Sequence, residues 1–148
     1  MCPEASGIGC SVRAMRAADY PQVFALWRRS DGVGLGESDT AVAVAVFLER
    51  IPNLSAVAES RVGEIVGADL CGHDGRRGFL HHLAVSGAHR RRGVARRLVQ
   101  YCFSGLAREK IIKCNVFVMR ESAESIAFWT YNGWVAPPWQ LMQKRVEV

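Results

Sequence analysis

Residues 82–95 read His-Leu-Ala-Val-Ser-Gly-Ala-His-Arg-Arg-Arg-Gly-Val-Ala, an apolar strand that leads through a short loop into a helix. The first backbone N–H groups of a helix have no partner inside it, and together with the positive end of the helix dipole they attract anions. Gly93 lets a phosphate approach the backbone, and Ala95 keeps the start of the helix small. The stretch therefore predicts a phosphate site, and an arginine-rich solvated face is the alternative.

The charge around this stretch is one-sided. The 148-residue chain has a formal net charge of +5, and no Asp or Glu occurs between positions 75 and 108. Eight arginines lie in that interval: Arg76, Arg77, Arg90, Arg91, Arg92, Arg96, Arg97 and Arg108. Such a patch attracts the phosphates of a nucleic acid or of a phosphorylated cofactor. Nucleic-acid modules interleave aromatic and basic residues, but from Arg76 to Arg97 the only aromatic residue besides histidine is Phe79, so we expect no nucleic-acid partner.

The composition indicates one ordinary globular domain, since 49% of the residues are hydrophobic and 22% are charged. No apolar stretch approaches the roughly 20 residues of a membrane span, and the N-terminus has no basic start followed by an apolar block. We therefore expect a cytoplasmic protein without a membrane partner. Five cysteines without a C-x-x-C pair predict buried thiols and no metal site.

Apolar periodicity and turn residues predict a mixed α/β order, with residues 1–10 as a flexible tail and residues 11–148 as a single domain. Asp19 is expected to cap the first helix, and Ser38 or Asp39 the second. The predicted elements are a strand at 11–16, helices at 20–30 and 40–50, strands at 54–60, 64–71 and 78–85, a helix at 94–106, a strand at 111–119, a helix at 123–131 and a final hairpin from Trp134 onward.

Two motifs carry a family resemblance. Arg90-Arg-Arg-Gly93-Val-Ala95 resembles the R/Q-x-x-G-x-G/A motif of the GNAT acetyltransferase superfamily, which holds the pyrophosphate of coenzyme A. Residues 125–134, Ser-Ile-Ala-Phe-Trp-Thr-Tyr-Asn-Gly-Trp, resemble the family's A-x-x-F-Y-x-x-x-G-F/W. The likeness is to small, single-domain bacterial members. It implies the GNAT fold: a mixed, mostly antiparallel central sheet of six to seven strands flanked by about four helices.

The resemblance implies an N-acetyltransferase that moves an acetyl group from acetyl coenzyme A to a primary amine in a ternary complex. Alternatives are acetylation of a protein N-terminus or lysine, and a non-catalytic domain that binds coenzyme A and regulates a partner. A homodimer is possible, and no metal is implied. The residues implied to bind the coenzyme are Leu83, Val85, Arg90, Arg91, Arg92, Gly93, Val94, Ala95, Arg96, Ser122 and Trp129. A backbone N–H near Leu83 would polarise the thioester carbonyl.

Proton transfer is where the chain departs from the family pattern. Trp129 replaces the usual tyrosine, and an indole cannot release a proton at accessible pH. Tyr131, about 200° further round the helix, is one candidate acid. On the strand, His81 and His82 are adjacent and should face opposite ways. His81 should share a face with Leu83 and Val85, which makes it a candidate base, or else a half-buried strand histidine.

On the acceptor side, the resemblance places the amine near the first two helices and the loop between them. Asp31 and Glu37 in that loop could hold a cationic amine. Ser38 and Asp39 are expected to act in helix capping, and His82 in packing.

Overall fold

The computed structural model describes residues 9–148. The first eight residues of the expected tail lie outside this range, and Cys10 already pairs with Ser60 in the first strand. The strands are β1 (Cys10–Ala14), β2 (Ala56–Ser60), β3 (Ile65–His73), β4 (Gly78–Val85) and β5 (Cys114–Val116). They form one sheet in the order β1-β2-β3-β4-β5, in which β4 and β5 are parallel and the other pairs antiparallel.

Four helices cover the two faces of the sheet: α1 (Tyr20–Arg28), α2 (Ala41–Arg50), α3 (Val94–Arg108) and α4 (Ala123–Tyr131). On one face α1 and α2 pack through Val23, Leu26 and Val44. On the other face α3 packs through Leu98 and Leu106, and α4 joins the same cluster. The expected α/β architecture, with a mixed and mostly antiparallel sheet and four helices, is confirmed.

The expected number of strands is wrong, because residues 9–148 contain five rather than six to seven. The predicted strand at 111–119 shortens to β5, and residues 134–148 form no hairpin. Two consecutive prolines, Pro137 and Pro138, cannot donate to a strand ladder. Most side chains beyond Trp134 are exposed, so no buried face fixes a register there.

Asp19 is the residue that precedes α1, as expected, but neither its side chain nor that of Ser38 or Asp39 caps the following α-helix. Asp19 makes no cap bond to α1; its carboxylate accepts hydrogen bonds from Arg13 and from the backbone N–H of Arg16, each at 2.8 Å. The cap of α2 is Thr40, whose Oγ1 accepts from the N–H of Ala43 at 3.2 Å. Asp39 is thereby free to face the interior, where it is 8% exposed.

One carboxyl group is fully buried in the sheet. Asp69 of β3 is 0% exposed; its Oδ2 lies 3.7 Å from Cys102 Sγ, and its Oδ1 has no hydrogen-bond partner among residues 9–148. Burial raises the pKa of Asp69 well above its usual range, with a further contribution from Cys71. The group is therefore protonated in the folded protein over pH values at which it is ionised in the unfolded chain.

The isosteric substitution Asp69→Asn is expected to remove a pH-dependent loss of stability. Above about pH 4 the folded protein keeps a proton that the unfolded chain has released, so raising the pH favours unfolding by about 1.4 kcal/mol per pH unit for this group. The free energy of unfolding of the wild type should fall relative to Asp69→Asn as pH rises from 4 through the folded pKa. Urea unfolding of both proteins at several pH values measures this difference, and parallel pH curves would contradict it.

Candidate active site

One edge of β4 is open along half of its length. Strand β5 pairs only with Gly78, Phe79 and Leu80, so residues 81–85 have no strand partner on that side within the described part of the chain. The N–H of Ser86 donates to Val66 O of β3 at 2.8 Å. Backbone groups alternate along a strand, so those of Leu83 and Val85 point to the open edge. An extended chain bearing amides could pair there as an added strand.

A bulge interrupts β4 at the same place. Leu70 pairs with His81 and Ala68 with Ala84, so β4 has one more residue than β3 between these pairs. His82 takes up the extra residue with a φ of 58°, a left-handed conformation. The bulge therefore reverses which residues face α3 and which face α1 and α2.

The reversal corrects the expected placement of His81. Its partner Leu70 belongs to the cluster under α1 and α2. The partner of Val85 is Gly67, where an added Cβ would lie 3.0 Å from Leu98 of α3. His81 thus lies on the opposite face from Leu83 and Val85, because the strand alternation is broken at His82.

The two adjacent histidines lie on the same side of the sheet, with ring centroids 6.2 Å apart. The expectation that they face opposite ways is wrong, because the left-handed backbone turns the His82 side chain toward α1. The His82 ring lies edge-on to Trp27 at 5.1 Å, and its Nε2 is 2.8 Å from Asp39 Oδ1. His82 therefore does more than pack, and Asp39 binds it rather than capping α2.

His81 is half-buried against an aromatic neighbour. Its ring stacks on Phe117 with centroids 4.9 Å apart. Burial lowers the pKa of His81 below its ordinary value, and the charge of His82 adds to the effect. His81 is therefore neutral at neutral pH and has a nitrogen free to accept a proton.

The start of α3 presents free backbone donors. Gly93 has a φ of 77°, and the first helical bond runs from the N–H of Arg97 to Gly93 O at 3.1 Å. The N–H groups of Val94, Ala95 and Arg96 precede that bond and have no helical acceptor. The side chain of Val94 is buried, so this residue can contribute only its backbone.

Of the arginines around the start of α3, one is bound within the fold and the others are available to a ligand. Arg97 is committed to the fold, because its Nη1 donates to Cys10 O of β1 at 3.1 Å. The Nε of Arg90 donates to Val85 O at 3.3 Å, which places this side chain beside the open edge of β4. Three more exposed arginines are available to a polyanion: Arg91, Arg92 and Arg96.

The two aromatic side chains of α4 that were candidate site residues, Trp129 and Tyr131, differ in exposure. Trp129 is 7% exposed and packs against Trp134 and Phe128, with ring centroids 4.8 and 5.0 Å apart. Tyr131 is 86% exposed and its hydroxyl makes no hydrogen bond within residues 9–148, so the structure does not bring it among the buried site residues. Ser122 caps the helix by accepting from the N–H of Ser125 at 3.2 Å.

The loop between α1 and α2 leaves the two expected acidic residues at the surface. Asp31 is exposed, and Glu37 forms an ion pair with Arg145. Beside the loop lies an open cavity of about 420 Å³, largely apolar, with Asp39 in its wall. Asp39, which was expected to cap a helix, is thus the buried carboxylate of this region.

Residues 9–148 contain neither a candidate metal cluster nor a candidate membrane span. No three His, Cys, Asp or Glu side chains are arranged to hold a metal ion. None of the helices in this range combines the length and apolar character of a membrane span.

The fold and the site together define an α/β domain with an open strand edge beside an anion-binding helix start. The chain belongs to the GNAT acetyltransferase family, because the model of the acetyltransferase (GNAT) domain matches residues 52–136. The matched region contains the open edge of β4, the start of α3 and the whole of α4. The resemblance drawn from the two sequence motifs is thereby confirmed.

Individual relatives agree with this assignment. An acetyltransferase of Photorhabdus laumondii is 39% identical over 88 residues, 60% of each chain, so the match spans less than two thirds of that relative. An acetyltransferase of Sodalis glossinidius is 30% identical over 80% of this chain and 82% of its own length. A crystal structure of the PaiA N-acetyltransferase of Thermoplasma acidophilum with coenzyme A has a TM-score of 0.77 at 12% identity, covering 88% of this chain and 92% of that chain. At that identity the likeness concerns the fold.

Proposed function

We propose that this protein transfers the acetyl group of acetyl coenzyme A to a primary amine by direct attack in a ternary complex. The observation that carries the proposal is the open edge of β4 lying next to the free N–H groups of α3. The edge offers backbone groups of Leu83 and Val85 to the pantetheine amides, and the helix start with its arginines offers donors to the phosphates. Family membership supports the same ligand.

The proposed reaction forms one bond and breaks one. The amine nitrogen attacks the thioester carbonyl carbon, the C–S bond breaks, and coenzyme A leaves as a thiolate. The N–H of Leu83 stabilises the negative charge that develops on the carbonyl oxygen. His81 accepts the proton of the amine through water, and the thiolate takes up a proton from solvent.

One experiment distinguishes the proposed reaction from two alternatives, acetylation of a protein and coenzyme A binding without catalysis. Calorimetric titration with acetyl coenzyme A is followed by a thiol-release assay on a panel of small amines, N-terminal peptides and lysine peptides. We expect binding and thiol release with a small amine. Release only with peptides would favour a protein acetyltransferase, and binding without release would favour a regulatory domain. A protein that does not bind the coenzyme would contradict the proposal.

His81→Ala is expected to lower kcat by about tenfold or more, because it removes the proposed base. The affinity for acetyl coenzyme A should change little, since His81 lies on the other face from Leu83 and Val85. In the wild type the midpoint of the acid limb of the pH–rate profile should lie below the ordinary histidine pKa of about 6.5, since burial lowers the pKa of His81. His73→Ala, at the far end of β3, is the control. An unaltered acid limb in His81→Ala would remove His81 from the mechanism.

A further inference from the structure

The left-handed conformation of His82 is unusual for its residue type. Left-handed backbone is common for glycine and enriched for Asn, Asp and His, but within a strand it occurs only where surrounding contacts hold it. In β4 the bulge leaves His82 and Leu83 opposite Asp69 without Cα partners in the β3 register. The regular ladder therefore does not fix the peptide that joins His82 to Leu83.

Asp39 supplies the missing constraint. Its Oδ1 is 2.8 Å from Nε2 of His82, while its Oδ2 accepts from the N–H of Gly36 at 2.8 Å. The backbone carbonyl of Asp39 accepts from the hydroxyl of Tyr20 at 2.6 Å. Both ends of the contact are largely buried, with 17% and 11% of the His82 and Asp39 side chains exposed. Two contacts thus hold the carboxylate of Asp39 and a third holds its backbone, while Trp27 limits the His82 ring on another side.

The orientation of His82 decides where the next N–H points. The peptide plane between His82 and Leu83 turns with the ψ angle of His82, so a side chain held at that residue also holds the Leu83 N–H. This N–H is the donor proposed above for the thioester oxygen. A donor stabilises a developing charge only when it is already aimed at it.

We propose that Asp39 and His82 form a positioning pair that aims the Leu83 N–H at the thioester carbonyl. The pair also joins the loop before α2, on the acceptor side, to the strand that holds the coenzyme. This assignment rests on the proposed function. It makes His82 a positioning residue and leaves proton transfer to His81.

The test uses three variants of the full chain. Asp39→Ala removes the partner of His82, and His82→Gly removes the ring but tolerates the left-handed backbone. Thr40→Ala is the matched control, because it removes the cap of the adjacent helix and leaves the pair intact. Isotope-edited infrared spectra of bound acetyl coenzyme A labelled with carbon-13 at the carbonyl report how strongly that carbonyl is polarised. Calorimetry gives the dissociation constant, and thiol release gives kcat.

In the wild type and in Thr40→Ala we expect the carbonyl frequency of the bound thioester to fall below that in solution. In Asp39→Ala and His82→Gly it should return toward the solution value, with the dissociation constant within about threefold and kcat lower by about 10- to 30-fold. His82→Gly carries the test if Asp39→Ala does not fold.

Two results would overturn the proposal, for different reasons. If both variants bind acetyl coenzyme A and keep the wild-type carbonyl frequency, the pair does not position the donor, whatever happens to kcat. If the wild type itself binds without a frequency change, the Leu83 N–H is not the donor and the pair has nothing to aim. Failure of the wild type to bind at all would instead refute the proposed function on which the assignment rests.

Discussion

Gly93→Val is expected to raise the dissociation constant for acetyl coenzyme A by about 100-fold. The residue has a φ of 77°, and a β-branched side chain is strongly disfavoured in the left-handed region. The loop would relax by turning the N–H groups of Val94, Ala95 and Arg96 away from a common point. Charge-assisted hydrogen bonds to phosphate are worth roughly 1.5–3 kcal/mol each, so the loss of one or two corresponds to the expected effect.

The control for this variant lies in the same loop. Gly87→Ala adds a Cβ that meets no atom within 4 Å, and the backbone of Gly87 is not left-handed. Its dissociation constant should stay within about twofold of the wild type. Calorimetry of the three proteins, with thermal unfolding to confirm that each is folded, makes the comparison. A folded Gly93→Val protein with wild-type affinity would show that the start of α3 does not bind the phosphates.

Local signals predict some elements of this fold closely. The predicted bounds of β4 and α4 are those of the structure, since turn residues and apolar periodicity fix them within a short stretch of chain. The start of α3 follows from Gly93, which can take the left-handed conformation that precedes the helix.

The errors arise where a distant partner decides the local structure. The register between β3 and β4 sets the bulge at His82, and no pattern within β4 shows it, so strand alternation placed His81 on the wrong face. Ser38 and Asp39 were the expected caps of α2, but both lie in a short helical turn at Glu37–Asp39, and Thr40, the next residue, caps the helix. The only sequence signal for the contact between Asp39 and His82 is the pair of histidines, His81 and His82, in the middle of an apolar strand.

Trp129→Ala is expected to lower the free energy of unfolding by about 3–5 kcal/mol, the usual cost of deleting a large aromatic side chain from a core. Trp129 lies in the cluster that joins α3 and α4 to the sheet, and Trp134 and Phe128 contact it edge-on. Urea unfolding measures the loss. Tyr131→Ala, on the exposed side of the same helix, should stay within about 0.5 kcal/mol of the wild type. Equal losses in the two variants would contradict the placement of Trp129.

Trp129→Tyr and Trp129→Phe separate the packing role of this side chain from a chemical one. Both remove similar volume from the cluster, so both should lose a comparable part of the unfolding free energy. They differ by one hydroxyl, which is the group that the family's usual tyrosine provides at this position. If the chain lacks only an acid, kcat measured by thiol release should be higher in Trp129→Tyr than in Trp129→Phe and at least equal to that of the wild type. If kcat falls equally in both, the indole itself packs on the coenzyme, and solvent protonates the leaving thiolate.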